Sequence, residues 1–205
     1  MAREVVKVWA PASVANVAVG YDILGFAIHG PGDEILLKRG KDKGLKIVEA
    51  LARRSPDVTF VLAGWGPIDP RDSGLSNVHC LTVSDREQMR DLYRAATLLI
   101  LPSIGEGFPL VIQEAMACGL PVICSDETAT ADTALAGRID HAPVDLNALP
   151  ASVDAWAKVL DRVLPIARAE TDGDRAARAE FAAERYGWPA TIAAYQAILE
   201  NVTAR

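Results

Sequence analysis

The sequence predicts an α/β fold in which a Rossmann-like parallel sheet is flanked by helices. From residue 33 onward, short apolar runs alternate with amphipathic stretches, the pattern of strands and helices that wind a parallel sheet. Half of the residues are hydrophobic and 23% are charged, as in ordinary globular proteins. At 205 residues, the chain is long enough for one substantial domain with a small appendage.

The individual elements follow from the positions of these runs. Strands are predicted at residues 34–38, 58–63, 78–83 and 97–101, with a further one from residue 121 to 124. Helices are predicted at residues 45–53, 109–118, 151–164, 173–185 and 189–202, and another should run to about residue 96. That last helix should open at Ser84, because Ser84 and Glu87 have the spacing of a capping box.

The first 32 residues do not share this rhythm. They are rich in small residues and have neither helical nor strand periodicity throughout. We therefore expect a short β-rich segment at the N-terminus and a boundary near residues 33–40.

Charge and hydropathy exclude several classes of protein. The 27 acidic and 21 basic residues are spread along the chain and give a net charge of -6, without the basic patch that nucleic-acid binding needs. The apolar runs are far shorter than the about 20 residues of a membrane-spanning helix, and the N-terminus does not resemble a secretion signal. We expect a cytoplasmic protein.

The cysteines and histidines indicate no metal centre. Cys80, Cys118 and Cys124 form an odd set without Cys-x-x-Cys spacing and lie in or beside apolar segments, which is typical of buried, reduced thiols. The three histidines are far apart and have no partner at metal-ligand spacing.

The most informative stretch is the predicted strand–loop–helix junction at residues 102–116. Loops at the carboxyl ends of parallel strands are where such sheets bind ligands. Gly105 and Gly107 would let the backbone approach a ligand closely, and Pro109 suits the first helical turn. The free N–H groups of the helix start, with its positive dipole end, favour a diphosphate or sugar hydroxyls.

Two carboxylates accompany this junction. Glu106 lies in the loop and Glu114 lies eight positions later in the helix, so both could face one crevice and accept hydrogen bonds from a sugar or ribose diol. Because the helix is apolar almost all round, we expect it to be buried, where a Glu needs a hydrogen-bonding partner. An internally paired, structural Glu114 is the alternative.

The run from Gly105 to Val122, Gly-Glu-Gly-Phe-Pro-Leu-Val-x-x-Glu-Ala-Met-Ala-x-Gly-x-Pro-Val, closely resembles the Glu-x7-Glu signature of retaining glycosyltransferases with the two-domain GT-B fold (group 1, family 4-like). The resemblance covers residues 34–205 and implies the C-terminal, nucleotide-sugar-binding domain, which we place at residues 39–205. It implies a UDP-, GDP- or ADP-linked sugar as substrate and no separate cofactor.

The resemblance also implies roles for particular residues. The donor sugar would contact Glu106, Gly107, Phe108 and Pro109, and the ribose would contact Glu114. The diphosphate would contact Arg39, Lys43 and Leu110, although Lys43 could equally be a solvated charge at a strand end. The region of the base would include Gly64, Gly66 and Val83.

A second resemblance covers the N-terminus. Residues 5–36, with the run Ala-Pro-Ala-Ser-Val-Ala-Asn-Val from Ala10, resemble the amino terminus of homoserine kinases of the GHMP family. The glycine- and serine-rich phosphate loop of those kinases is not found later in the chain, so kinase activity is not expected. We interpret residues 1–38 as a kinase-like segment joined to the glycosyltransferase domain, as in a chimera.

Three functional hypotheses follow. The first is donor binding without efficient turnover, because the resemblance implies that the acceptor binds on an N-terminal domain that we do not find in this chain. The second is a chimeric scaffold without activity. The third is a subunit that pairs in trans with a separate N-terminal domain or with itself, which predicts an exposed apolar face on the final helix at residues 189–202.

Overall fold

A computed structural model describes residues 5–14, 26–38, 43–64, 70–83, 85–104, 109–130, 132–135, 137–145 and 147–203. The chain divides into two compact units. One comprises Met1–Lys41 with Ile192–Arg205, and the other is Asp42–Thr191.

The first unit contains an antiparallel pair of long strands, β1 (Val5–Val14) and β2 (Phe26–Lys38). Their register runs from Val5 opposite Lys38 to Val14 opposite Phe26, with an irregularity after Pro11. The predicted strand at residues 34–38 is therefore confirmed as a strand. It was expected to begin the parallel sheet, but it is instead the end of β2, because the preceding segment pairs with it along its length.

The second unit contains the α/β alternation that the sequence predicted. Its strands are β3 (Phe60–Ala63), β4 (Val78–Leu81), β5 (Leu99–Leu101), β6 (Val122–Ser125) and β7 (Asp140–Ala142). The helices of the chain are α1 (Lys43–Arg54), α2 (Arg86–Ala95), α3 (Leu110–Ala117), α4 (Asp126–Ala129), α5 (Leu149–Ala169), α6 (Asp172–Tyr186) and α7 (Trp188–Thr203). The residues of α7 from Ile192 onward belong to the first unit.

The strands of the second unit pair in parallel, as predicted. β3 pairs with β4, and β6 lies between β5 and β7. The predicted helices are present, whereas β7 and α4 were not predicted. Both are short, of three and four residues, and their sequences, Asp-His-Ala and Asp-Glu-Thr-Ala, form no apolar run of the kind that marks the other short strands.

Helices cover both faces of the sheet around β6, so all four residues of this strand are buried. Ile123 belongs to a core with α1 and α5 that includes the fully buried Trp156. Val122 and Cys124 point to the opposite face and belong to a core with α3 and α6. Burial on both faces is the arrangement expected of parallel sheets.

Two element boundaries differ from the predicted ones, and local hydrogen bonds explain both differences. The side-chain amide of Asn77 donates to the carbonyls of Ala52, Ser55 and Val58, which fixes a turn after α1 and delays β3 until Phe60. Asp85, and not the predicted Ser84, is the N-cap of α2, and its carboxylate accepts from the backbone N–H of Gln88 at 2.8 Å.

Candidate functional site

The junction between β5 and α3 forms the centre of the candidate site. β5 ends at Leu101, and α3 begins at Leu110 after Pro109, which is the N-cap and not, as expected, a residue of the first turn. Among the residues that the structure describes, no side chain caps this helix start. Since the first N–H groups of a helix have no acceptor within it, this helix start presents donors toward the carboxyl edge of the sheet.

The expectation that α3 is buried all round is wrong. Ile112, Ala115 and Met116 are buried in the core, but Leu110 is 55% exposed and Glu114 is also exposed. The helix lies on the outside of the sheet and buries a single face, so its other face is open although most of its residues are apolar. The exposed face begins at the helix start and includes the predicted carboxylate.

Glu114 has one hydrogen-bonding partner among the described residues. The hydroxyl of Tyr93, on α2, donates to Glu114 Oε2 at 3.2 Å. Burial raises the pKa of Tyr93, and the negative charge of Glu114 together with this hydrogen bond raises it further. Tyr93 is therefore a hydroxyl donor at any physiological pH, and it orients a carboxylate that keeps most of its acceptor capacity.

Sequence reasoning did not identify Tyr93 as a site residue. It is 7% exposed and belongs to the core beneath α3. The available signal was its place on the apolar side of a helix that is otherwise strongly polar, where a tyrosine hydroxyl needs a partner.

A second polar pair lies at the same edge of the sheet and was also not predicted. Asp126 is the first residue of α4, directly after β6, and His141 lies on β7. His141 Nδ1 is 2.6 Å from Asp126 Oδ1. β5 and β6 are hydrogen-bonded neighbours with Leu101 opposite Cys124, so this pair lies beside the junction that carries the candidate site.

The described residues of the predicted base region also follow parallel strands. Gly64 comes directly after β3 with φ of 138°, a conformation that favours glycine, and its N–H donates to the carbonyl of Leu81 at 3.0 Å. Val83 lies two residues after the end of β4. Both therefore lie at the carboxyl edge of the β3–β4 pair.

The other predicted site residues are described only in part. Lys43 is the first residue of α1. The remaining predicted residues lie outside the described part of the chain: Arg39, Gly66, Glu106, Gly107 and Phe108. The predicted convergence of Glu106 and Glu114 on one crevice stays a prediction.

A groove of the described structure lies away from this junction. It has a volume of about 610 Å³ and is lined by Met116 together with residues of α5 and α6, including Phe181. Met116 is in the last turn of α3, at the opposite end of the helix from Leu110. The candidate site is thus an open edge of the sheet and does not coincide with this groove.

The described residues contain no group of three His, Cys, Asp or Glu side chains arranged to hold a metal ion. Cys80, Cys118 and Cys124 are free thiols, as predicted, but only Cys124 is fully buried. No described helix is long and apolar enough to cross a membrane.

Comparison with protein families identifies the domain. Residues 38–165 match the family model described as Glycosyl transferases group 1. The chain belongs to this family. A curated relative, the D-inositol 3-phosphate glycosyltransferase of Mycolicibacterium smegmatis, is 31% identical over 185 residues, which cover 81% of this chain and 41% of the relative. The chain thus spans about two fifths of that protein's length.

Solved structures confirm the α/β fold of this group 1 glycosyltransferase domain. The pneumococcal O-GlcNAc transferase in complex with UDP and GlcNAc superposes with a TM-score of 0.58 at 18% identity and covers 80% of this chain and 33% of its own. Starch Synthase IV from Arabidopsis thaliana, bound to ADP and acarbose, gives a TM-score of 0.58 at 17% identity and covers 82% and 37%. Similarity at this identity shows the fold, which is that of GT-B glycosyltransferases.

The second resemblance has a partial counterpart. The homoserine kinase of Chlorobium phaeovibrioides is 42% identical over 73 residues, which are 36% of this chain and 21% of the kinase. The division of the chain into a kinase-like segment and a glycosyltransferase domain stays a prediction.

Proposed function

We propose that this chain binds a nucleotide-diphosphate sugar as the donor-binding domain of a retaining group 1 glycosyltransferase. The observation that carries the proposal is the exposed carboxylate of Glu114, oriented by a buried tyrosine hydroxyl, one turn inside a helix whose start faces the carboxyl edge of the sheet. This combination offers acceptors for a diol and donors for an anion within about 6 Å along one helix.

The contacts of the donor follow from this arrangement. Glu114 accepts the two ribose hydroxyls, and the backbone N–H of Leu110 donates to the diphosphate, whose charge the helix dipole stabilises. The roles of Arg39 and Lys43 at the diphosphate, and of Glu106 to Pro109 at the sugar, rest on the family resemblance. The base lies toward Gly64 and Val83, at the edge of the β3–β4 pair, and the role of Gly66 rests on the family resemblance.

Isothermal titration calorimetry with UDP, GDP and ADP tests the proposal. We expect one of the three to bind, since two structural neighbours were solved with UDP and with ADP. Glu114→Gln should weaken the binding about tenfold, because an amide is a poorer acceptor for two hydroxyls than a carboxylate.

Glu180→Gln is the matched control, since Glu180 is an exposed carboxylate on α6 and is not among the predicted site residues. It should leave the affinity unchanged. If none of the three nucleotides releases or absorbs heat, donor binding is wrong and the chimeric scaffold without activity is favoured. Equal affinities of wild type and Glu114→Gln would remove the ribose role from Glu114.

We do not expect efficient sugar transfer by the chain alone. Transfer needs a surface that holds the acceptor opposite the bound donor. Electrostatic stabilisation of the transition state is weak where one side of a site faces water. One observation favours pairing with a further surface. Large apolar side chains on α7 are exposed, namely Trp188, Ile192, Tyr195 and Ile198. A donor hydrolysis rate typical of an enzyme, measured on the isolated chain, would contradict this part of the proposal.

A further inference from the structure

A saturated carboxylate lies in the segment that joins β6 to β7. Asp132 Oδ2 accepts from Arg185 Nε at 3.2 Å and from the Tyr186 hydroxyl at 2.9 Å. Its Oδ1 accepts from Arg185 Nη2 at 3.1 Å and from the backbone N–H of Ala134 at 2.9 Å. A carboxylate has about four acceptor positions, so these bonds occupy all of them. Asp132, Arg185 and Tyr186 are called the Asp132 cluster below.

The donors of the Asp132 cluster are held by packing. Tyr186 contacts the ring of Phe181 edge-on, with the ring centroids 6.1 Å apart. The guanidinium of Arg138 covers Phe181 at 4.1 Å from the ring centroid. The end of α6 is thus fixed to the segment before β7 on both sides, through Asp132 and through Arg138.

The position of this segment connects the cluster to the candidate site. It leaves β6 at the carboxyl edge of the sheet, where β6 is the hydrogen-bonded neighbour of β5. The loop from β5 to α3 leaves the same edge one strand away. Asp132 is only 13% exposed, although it lies in a connecting segment, where carboxylates are ordinarily solvated.

We propose that the Asp132 cluster consists of positioning residues, which hold the segment between β6 and β7 in a preformed conformation beside the donor site. The inference rests on the proposed donor binding. None of the three side chains contacts the donor. The cluster increases affinity because a preformed segment need not be ordered when the nucleotide binds.

Association and dissociation rates distinguish positioning from direct contact. When a positioning group is lost, only a fraction of the molecules is competent to bind, so the association rate falls by that fraction. When a direct contact is lost, the dissociation rate rises instead. A purely structural group changes the unfolding temperature and neither rate.

The variants Tyr186→Phe and Asp132→Asn remove hydrogen bonds while preserving the shape of each side chain. Tyr195→Phe, at an exposed tyrosine of α7, is the control for the first. Asp140→Asn is the control for the second, because Asp140, the first residue of β7, pairs with Arg162 of α5 at 2.8 Å and does not belong to the Asp132 cluster. The association and dissociation rates are measured by stopped-flow fluorescence, well below the unfolding temperature. The probe is a fluorescent analogue of the nucleotide, UDP, GDP or ADP, that binds the wild type.

We expect Asp132→Asn to lower the association rate about tenfold and Tyr186→Phe about threefold, with dissociation rates and both controls unchanged. The double variant should be no slower than Asp132→Asn, because the bonds form one network. A raised dissociation rate, or a lowered unfolding temperature with both rates unchanged, would overturn the inference. So would equal rates in all variants.

Amide hydrogen exchange separates this inference from the proposed function. In Asp132→Asn and Tyr186→Phe, the amides between β6 and β7 should exchange faster, while those of α1 and α5 should not. If no nucleotide binds the wild type, the proposed function fails, and unchanged exchange in this segment would independently show that the cluster does not order it.

Discussion

Two tyrosines of this domain each donate a hydroxyl to a carboxylate, and the two carboxylates are in opposite situations. Glu114 is exposed and accepts from Tyr93 alone among the described residues. Asp132 is nearly buried and accepts four hydrogen bonds, one of them from Tyr186. Each carboxylate thus accepts from a tyrosine hydroxyl, but Glu114 keeps acceptor positions for a ligand, whereas those of Asp132 are filled by the protein.

The difference shows that the domain leaves one carboxylate available to bind a ligand and uses another to stabilise the fold. A carboxylate whose acceptor positions are filled by the protein can stabilise the fold but has nothing left for a substrate. A carboxylate oriented by one fixed donor keeps its position and can still accept hydroxyls. We infer that Glu114 is suited to binding and Asp132 to structure.

The largest expected effect that tests this comparison is on stability. Asp132→Ala should reduce the free energy of unfolding by about 2 kcal/mol, because it leaves Arg185, Tyr186 and a backbone N–H without their acceptor. Glu114→Ala should change it by less than about 0.5 kcal/mol, as is usual for exposed positions. Urea unfolding followed by circular dichroism measures both, and equal losses would contradict the comparison.

A smaller effect is expected when the orienting hydroxyl is removed from the open carboxylate. Tyr93→Phe keeps the ring in the core, so stability should fall by no more than about 1 kcal/mol. Nucleotide affinity should fall about threefold, because Glu114 gains rotamers that do not face the ligand. Calorimetry on this variant, with Tyr195→Phe as control, measures the change. Unchanged affinity would show that Tyr93 does not orient Glu114.

The smallest expected effect concerns pH. The hydrogen bonds from Arg185, with those from Ala134 and Tyr186, hold the pKa of Asp132 below its ordinary value. A lowered folded-state pKa gives stability that is present above the unfolded pKa of about 3.9 and is lost as pH falls through the folded value. The stability difference between wild type and Asp132→Asn should be constant from pH 7 to 5 and narrow below about pH 4. A difference that narrows already between pH 7 and 5 would contradict this assignment.

Most elements of the second unit could be predicted from the sequence, because the helices are long enough to show their own period and the strands lie in apolar runs. Helices α5 and α6 and the turn of Gly119 after α3, with φ of 76°, follow from local signals alone. The strand β7 could not be predicted, since its residues, Asp-His-Ala, form no apolar run, unlike the Leu-Ile-Leu of the equally short β5.

The candidate site was predicted in its position but not in its environment. The junction after β5 was found from its glycines and its apolar helix, and the structure places α3 there. The helix pattern suggested burial on all sides, but the structure buries only one face. Composition gives the polarity of a helix, whereas its exposure depends on which neighbours pack against it.

By itself, the sequence determined the α/β alternation, the parallel strands and the position of Glu114 just inside a helix start, because these depend on residues close together in the chain. Only the tertiary structure decided which carboxylate is open and which is filled. Tyr93 reaches Glu114 across 21 positions, and Tyr186 reaches Asp132 across 54. Contacts over such separations arise from the packing of whole helices on the sheet, which no local pattern records.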